Sequence, residues 1–176
     1  MFQETIENIT PVNPEFAEKA RKRLDNLTKP QGSLGMLEEF AERLVAISVD
    51  TMPVLDKKVI FTFAGAHGVA EEGISAYPSE VTKQMVFNFL NGGAGINVLA
   101  RHAGAEVVVV DIGVKSEIAG TIIGEHMVKG NFVSKKIIFG TKNMRHGPAM
   151  SKDEAGRCIR AEMATFDEAA VSGKSE

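Results

Sequence analysis

The chain has 176 residues, 44% hydrophobic and 24% charged, which is the balance of an ordinary globular protein with a real core. A formal charge of −3 gives no electrostatic reason to expect a nucleic-acid partner, and Cys158, the only cysteine, excludes an internal disulfide and fits a reducing compartment. No apolar stretch approaches membrane-spanning length and the acidic N-terminus lacks the basic and apolar parts of a signal peptide, so a cytoplasmic protein with no membrane partner is expected.

In chain order, Asn13-Pro14-Glu15 predicts a helix start, with Asn13 as cap, Pro14 in the first turn and Glu15 complementing the dipole. Phe16, Ala20, Leu24 and Leu27 recur at helical spacing, and Lys29-Pro30 stops the run. A second helix follows the turn Gln31–Gly35, with Leu37, Phe40, Ala41, Leu44 and Ile47 as its expected core face. These two helices form a hairpin, and residues 1–52 are expected to make an N-terminal helical segment separate from residues 53–176.

Lys58 to Phe63, apolar nearly throughout, reads as a strand covered on both faces. A polar, glycine-bearing loop then runs to Pro78, where a helix with Val81, Met85 and Phe89 on one side is expected to start and to end at Asn91-Gly92-Gly93. Ile96 to Ala103 reads as another helix, stopped by Gly104, and Glu106 to Ile112 as the clearest strand. Two strands flanking helices point to a parallel sheet with a right-handed crossover. Residues 114–134, with glycines at 120, 124 and 130, read as loop with one or two short strands, and Ser134 to Phe139 as extended. After the polar loop Gly140 to Met150, Ser151-Lys-Asp-Glu154 fits a capping box, and Ala155, Cys158, Ile159, Met163 and Phe166 continue as a helix to about Ser172. Two strands make a poor parallel sheet, so the α/β sheet is expected to be incomplete in this chain.

In an open α/β sheet ligands bind beyond the carboxyl ends of the strands, which makes the loop Phe63–Pro78 the site candidate. Tyr77, Pro78, Met85 and Phe87 suit a flat apolar heterocycle, although Met85 and Phe89 also fit plain core packing. His67 either bonds a ligand or ties the loop to a backbone carbonyl. Glu71 and Glu72 read as solvated carboxylates, one of which could meet ligand. Gly92-Gly93 before a helix could admit phosphate, but helix termination explains the pair as well. Gly140, Thr141 and Asn143 are further nucleotide candidates. His67, His102, His126 and His146 show no metal-ligand spacing, and no Walker-type loop occurs.

Several of these segments, in order, resemble the nicotinate-nucleotide–dimethylbenzimidazole phosphoribosyltransferase family: Lys29-Pro-Gln-Gly-Ser-Leu-Gly35, His67-Gly-Val-Ala-Glu-Glu-Gly-Ile-Ser-Ala-Tyr-Pro78, Val81-Thr82, Gln84-Met85, Asn88-Phe-Leu-Asn-Gly-Gly93, Ile96-Asn97-Val98, Asp111-Ile-Gly-Val114, and Gly140-Thr-Lys-Asn-Met144 with Gly147-Pro-Ala-Met150. The resemblance covers roughly Asn13 to Ile159. It implies a Rossmann-like parallel sheet with crossover helices, plus a small helical domain to which the N-terminal hairpin contributes. It also implies a homodimer and transfer of ribose phosphate from nicotinate mononucleotide to 5,6-dimethylbenzimidazole in cobalamin nucleotide-loop assembly, with no cofactor and no metal. His67, Tyr77, Pro78, Met85, Asn88, Gly92 and Gly93 are the expected substrate-binding residues. The family's general-base glutamate and its Gly-Glu-x-Gly-x-x-Asn-Thr-Thr segment match nothing in residues 1–176, so a truncated form is expected, and neither Glu162 nor Glu176 takes the base's role. Ala66 stands where the family usually has aspartate. The alternative is a non-catalytic remnant or partner-binding module of the same fold.

Overall fold

The computed structural model describes residues 2–118, 122–123, 126–127 and 131–172. The chain divides into two compact units, residues 1–56 and 57–176.

The first unit holds α1 (Phe2–Glu7), α2 (Pro14–Asp25) and α3 (Met36–Ser48). Asn13 Oδ1 accepts the Glu15 N–H at 3.0 Å, which caps α2, with Pro14 in its first turn. The turn between α2 and α3 is closed by Glu38, whose Oε1 takes Lys29 Nζ at 2.8 Å and the Leu34 N–H at 3.0 Å. Ala20 of α2 and Val45 and Ala46 of α3 are buried, and Arg21 pairs with Glu42 across the hairpin. The expected core face of α3 is therefore only partly right. Ala41 and Leu44 are half-buried, but Leu37, Phe40 and Ile47 are exposed. Helical periodicity identifies an apolar stripe and does not identify what covers it. The short α1 carries no cap signal and was not anticipated.

The second unit is built on three parallel strands in the order β1 (Val59–Gly65), β2 (Glu106–Gly113) and β5 (Phe132–Ser134). Phe63 pairs with Val110, and Val110 with Val133. Between β2 and β5, the two-residue strands β3 (Ile122–Ile123) and β4 (His126–Met127) pair antiparallel. The glycines at 120, 124 and 130 lie outside the described residues. The sheet is open, as expected of an incomplete α/β fold, and β1 has no partner on its outer side among the described residues. The third strand lies before the stretch expected to be extended. After Ser134 no strand is formed, although the Lys135 and Ile137 N–H groups still bond Asp111 O and Ile112 O at 3.0 and 3.1 Å.

Crossing from β1 to β2 are α4 (Glu80–Leu90) and α5 (Gly95–Ala103). Pro78 and Ser79 form the opening turn of α4, with Val81 N–H on Pro78 O at 3.1 Å. Gly104 ends α5 with φ +64°, a dihedral that favours glycine. Val86 of α4 and Ala100 of α5 pack on Ala64, Val107 and Val109, and Val114 and Ile118 complete this core. The last helix, α6 (Lys152–Ser172), opens with the expected capping box. Ser151 Oγ accepts the Glu154 N–H at 3.1 Å, and Glu154 Oε2 accepts the Ser151 N–H at 2.6 Å.

Candidate functional site

The strands' carboxyl ends carry the site. Where β1 ends, Ala66 is held from both sides: its N–H donates to Gly113 O and its carbonyl accepts the Thr141 N–H, each at 2.9 Å. The chain then forms a 3-10 turn, Gly68–Glu72, where a plain loop was expected. Gly68 lies hard against the loop that follows β5. A Cβ there would stand 2.6 Å from Thr141 O and Lys142 C. The Gly68 N–H also donates to Thr141 Oγ1 at 3.2 Å.

Glu71 is exposed, as expected, whereas Glu72 is half-buried, contrary to expectation, and both are paired. They reach in different directions, one to each neighbouring loop. Glu71 pairs with Lys115, after β2, at 3.1 Å. Glu72 accepts from Asn143 Nδ2 at 2.7 Å, pairs with Arg145, and has His146 Nε2 at 3.4 Å, all in the loop after β5. The Arg145 guanidinium foremost, then the Asn143 amide, hold the Glu72 carboxyl below its ordinary value, against the opposing effect of partial burial.

Between this turn and α4 lies a cavity of about 670 Å³. Its apolar wall is Val81, Met85 and Phe89 of α4, and His67, Ile74 and Tyr77 come from the loop. Such a space is within the range of small-molecule sites, which are mostly apolar with a few polar groups. The His67 imidazole is exposed and makes no hydrogen bond among the described residues, so it does not tie the loop to a backbone carbonyl, one of the two readings of the sequence. Tyr77 is 69% exposed. Met85 lies on the cavity flank of α4 and leaves the core position to Val86, which is 1% exposed.

The structure thus brings His67, Tyr77, Pro78 and Met85 together. It does not bring Asn88, Gly92 and Gly93 to them. Asn88 falls between Met85 and Phe89 on α4 without lining the cavity itself, and Gly92 and Gly93 follow the helix's C-terminal end. There Gly93 is pressed against the Asn88 side chain, and Gly92 lines a separate cavity of about 390 Å³ with Arg101, Asn97 and Asn131. Asn97 Oδ1 takes the buried N–H of Ala94, the residue just before α5, at 3.2 Å. The chain reversal after α4 uses these residues: the Gly93 N–H donates to Asn88 O at 3.0 Å, and Gly92 has φ +74°. Phe87 packs against the core and does not line the cavity. Asn143 meets Glu72 and lines a third cavity with Lys142 and His146. Val69, Ala70, Ile74 and Thr82 line the main cavity and were missed, since nothing local in the sequence separates them from loop and helix filler. Among the described residues, no group of three or more His, Cys, Asp or Glu could hold a metal ion, and no helix is long and apolar enough to cross a membrane.

An open parallel sheet with a cavity beyond the carboxyl end of its first strand is the arrangement of an α/β ligand-binding protein. A family model described as a phosphoribosyltransferase matches residues 9–175, and the chain belongs to that family. It is 50% identical over 173 residues to the nicotinate-nucleotide–dimethylbenzimidazole phosphoribosyltransferase of Geotalea uraniireducens (strain Rf4), a match covering 98% of this chain and 47% of the relative. The protein of the same name from Geobacter metallireducens is 53% identical over 161 residues, 92% of this chain and 43% of that one. The crystal structure of the Thermus thermophilus protein of that name superposes with a TM-score of 0.80 at 42% identity, covering 92% of this chain and 46% of that chain. The chain spans about half the length of the curated relatives it matches.

Proposed function

We propose that the chain forms the base-binding side of an enzyme that moves ribose 5′-phosphate from nicotinate mononucleotide to 5,6-dimethylbenzimidazole. The products are α-ribazole 5′-phosphate and nicotinate, in assembly of the cobalamin nucleotide loop. The observation that carries the reading is the cavity walled by Val81, Met85 and Phe89 and edged by Tyr77 and His67, in a chain whose relatives bear that name. A benzimidazole lone pair attacks C1′ and forms the new N–C bond with inversion. The bond from C1′ to the pyridinium nitrogen breaks, and its electrons return to that nitrogen, cancelling its positive charge as nicotinate leaves. The second ring nitrogen of the base loses its proton, a task for a carboxylate. By the family resemblance that glutamate lies outside residues 1–176. This chain's contribution is placement: Met85 and Val81 against the ring face, Tyr77 at the open side, His67 at a polar edge.

We read the whole enzyme as a cytoplasmic homodimer that acts on small molecules and takes no nucleic acid. The family resemblance, the single cysteine and the net charge of −3 support that reading. The test is calorimetric titration of the chain with 5,6-dimethylbenzimidazole. Saturable binding that weakens about tenfold in Met85→Ala, the loss of one apolar contact, is expected. No saturable binding contradicts the reading. With nicotinate mononucleotide added, the chain alone is expected to release no nicotinate, and turnover above background places the base inside residues 1–176.

A further inference from the structure

We propose that Glu72 is the positioning residue of the cleft, its carboxylate clasping the loop after β5 and so fixing the far end of the turn, from which Ile74 and Tyr77 are presented. This rests on the base-binding reading of the cavity.

The backbone bonds of Ala66 and Gly68 to Thr141 secure only the near end of the turn. At its far end Gly73 reverses the chain with φ +70°, and Ile74 and Tyr77 run on to α4 while 70% and 69% exposed. Within residues 74–77 the only hydrogen bond described is the Tyr77 N–H on Ser75 Oγ at 3.2 Å. That stretch therefore takes its course from its two anchors, Glu72 and the start of α4. Glu72 is suited to the task because its side chain is 18% exposed and three partners, Asn143, Arg145 and His146, converge on two oxygens. A shielded, multiply bonded carboxylate holds geometry in a way an open surface pair does not. Asn143 is itself set by its own loop, its Oδ1 accepting the Arg145 N–H at 3.0 Å. Glu71 is the internal contrast: it and Lys115 are 62% and 55% exposed, an ion pair of little consequence.

The test compares Glu72→Ala, Glu72→Gln and Glu71→Ala in the 176-residue chain, by affinity for 5,6-dimethylbenzimidazole and by amide exchange. In Glu72→Ala we expect affinity to fall about tenfold and exchange at Gly68, Ala70 and Gly73 to quicken by a similar factor, with β2 amides unchanged, because the opening is local. Glu72→Gln keeps an acceptor for Asn143 and falls between, and Glu71→Ala matches the unaltered chain. Exchange at Gly68, Ala70 and Gly73 unchanged in Glu72→Ala, or faster exchange spread equally through β2, overturns the proposal. If the unaltered chain takes no base, the cavity reading fails and exchange alone decides the clasp.

Discussion

The Asp111 carboxylate and the Lys136 ammonium meet 3.1 Å apart at the carboxyl end of the central strand, with Asp111 fully buried and the Lys136 side chain 10% exposed. Asp111 Oδ1 accepts the Val114 N–H at 2.9 Å, and Lys136 donates to Val114 O and Ser116 O at 2.9 and 2.6 Å. Oδ2 has no hydrogen bond of good geometry and depends on the lysine's charge. The pair locks the turn after β2 to the segment after β5.

Lys136→Met removes one partner and leaves a buried carboxylate uncompensated. A loss of about 3 kcal/mol is expected by urea unfolding, because breaking a buried pair from one side costs more than the pair contributes. A loss below about 0.5 kcal/mol, the scale of an ordinary surface change, contradicts the assignment.

Gly68→Ala drives a Cβ to 2.6 Å from the backbone of Thr141 and Lys142, which cannot swing aside as a flexible side-chain end can. The two loops must part, so the chain loses roughly 1–3 kcal/mol and most of its base affinity. Gly147→Ala, with nothing near its Cβ position, is the matched control and keeps affinity. Equal behaviour of the two variants in calorimetry and urea unfolding argues against the close approach.

Acid weakens the fold by a defined route. Glu38, through Lys29 first, Glu72, through Arg145 first, and Glu154, through the Ser151 N–H first, are all held below the ordinary glutamate value. Groups with depressed folded pKa values contribute stability that is present above the unfolded value and lost as pH falls through the folded one. Urea midpoints at pH 7 and pH 3.5 measure it (about 4.3 being the unfolded glutamate value). The midpoint falls in the unaltered chain, and falls less in a Glu38→Gln, Glu72→Gln double variant, whose pH 7 stability is already lower. An equal fall in both contradicts the linkage.

Leu37, Phe40 and Ile47 form an exposed stripe on α3, 65%, 56% and 66% accessible, and β1 offers an edge unpaired among the described residues. Apolar stripes and open edges both drive association. The isolated chain is expected to sediment as more than a monomer, with Phe40→Glu shifting it toward one. A monodisperse monomer at all concentrations rules this out.

Much of this fold is legible from the residues. Asn13-Pro14, the valines of β2, Gly104 and the Ser151/Glu154 box each act locally, and each stands where expected. What was hidden is non-local. One or two short strands were expected in residues 114–134, but the position of Phe132–Ser134 and its pairing with β2 are set by residues over twenty positions away. Glu72 meets partners more than seventy residues later in the chain, so it reads locally as solvated. Gly92 and Gly93 are joined to the cleft motifs in sequence by α4 yet line no part of the cavity, although Phe89 of the same helix does. His67, Tyr77, Pro78 and Met85 could be read together because a strand end, a turn and one helix start keep them near in sequence and in space.

The most direct test of the central claim is a titration of the isotopically labelled chain with 5,6-dimethylbenzimidazole, followed residue by residue by nuclear magnetic resonance. The account expects saturable shifts centred on His67, Ala70, Tyr77, Thr82 and Met85, with Gly92 and Arg101 unmoved. Shifts centred on Gly92 and Arg101, or none anywhere, contradict it.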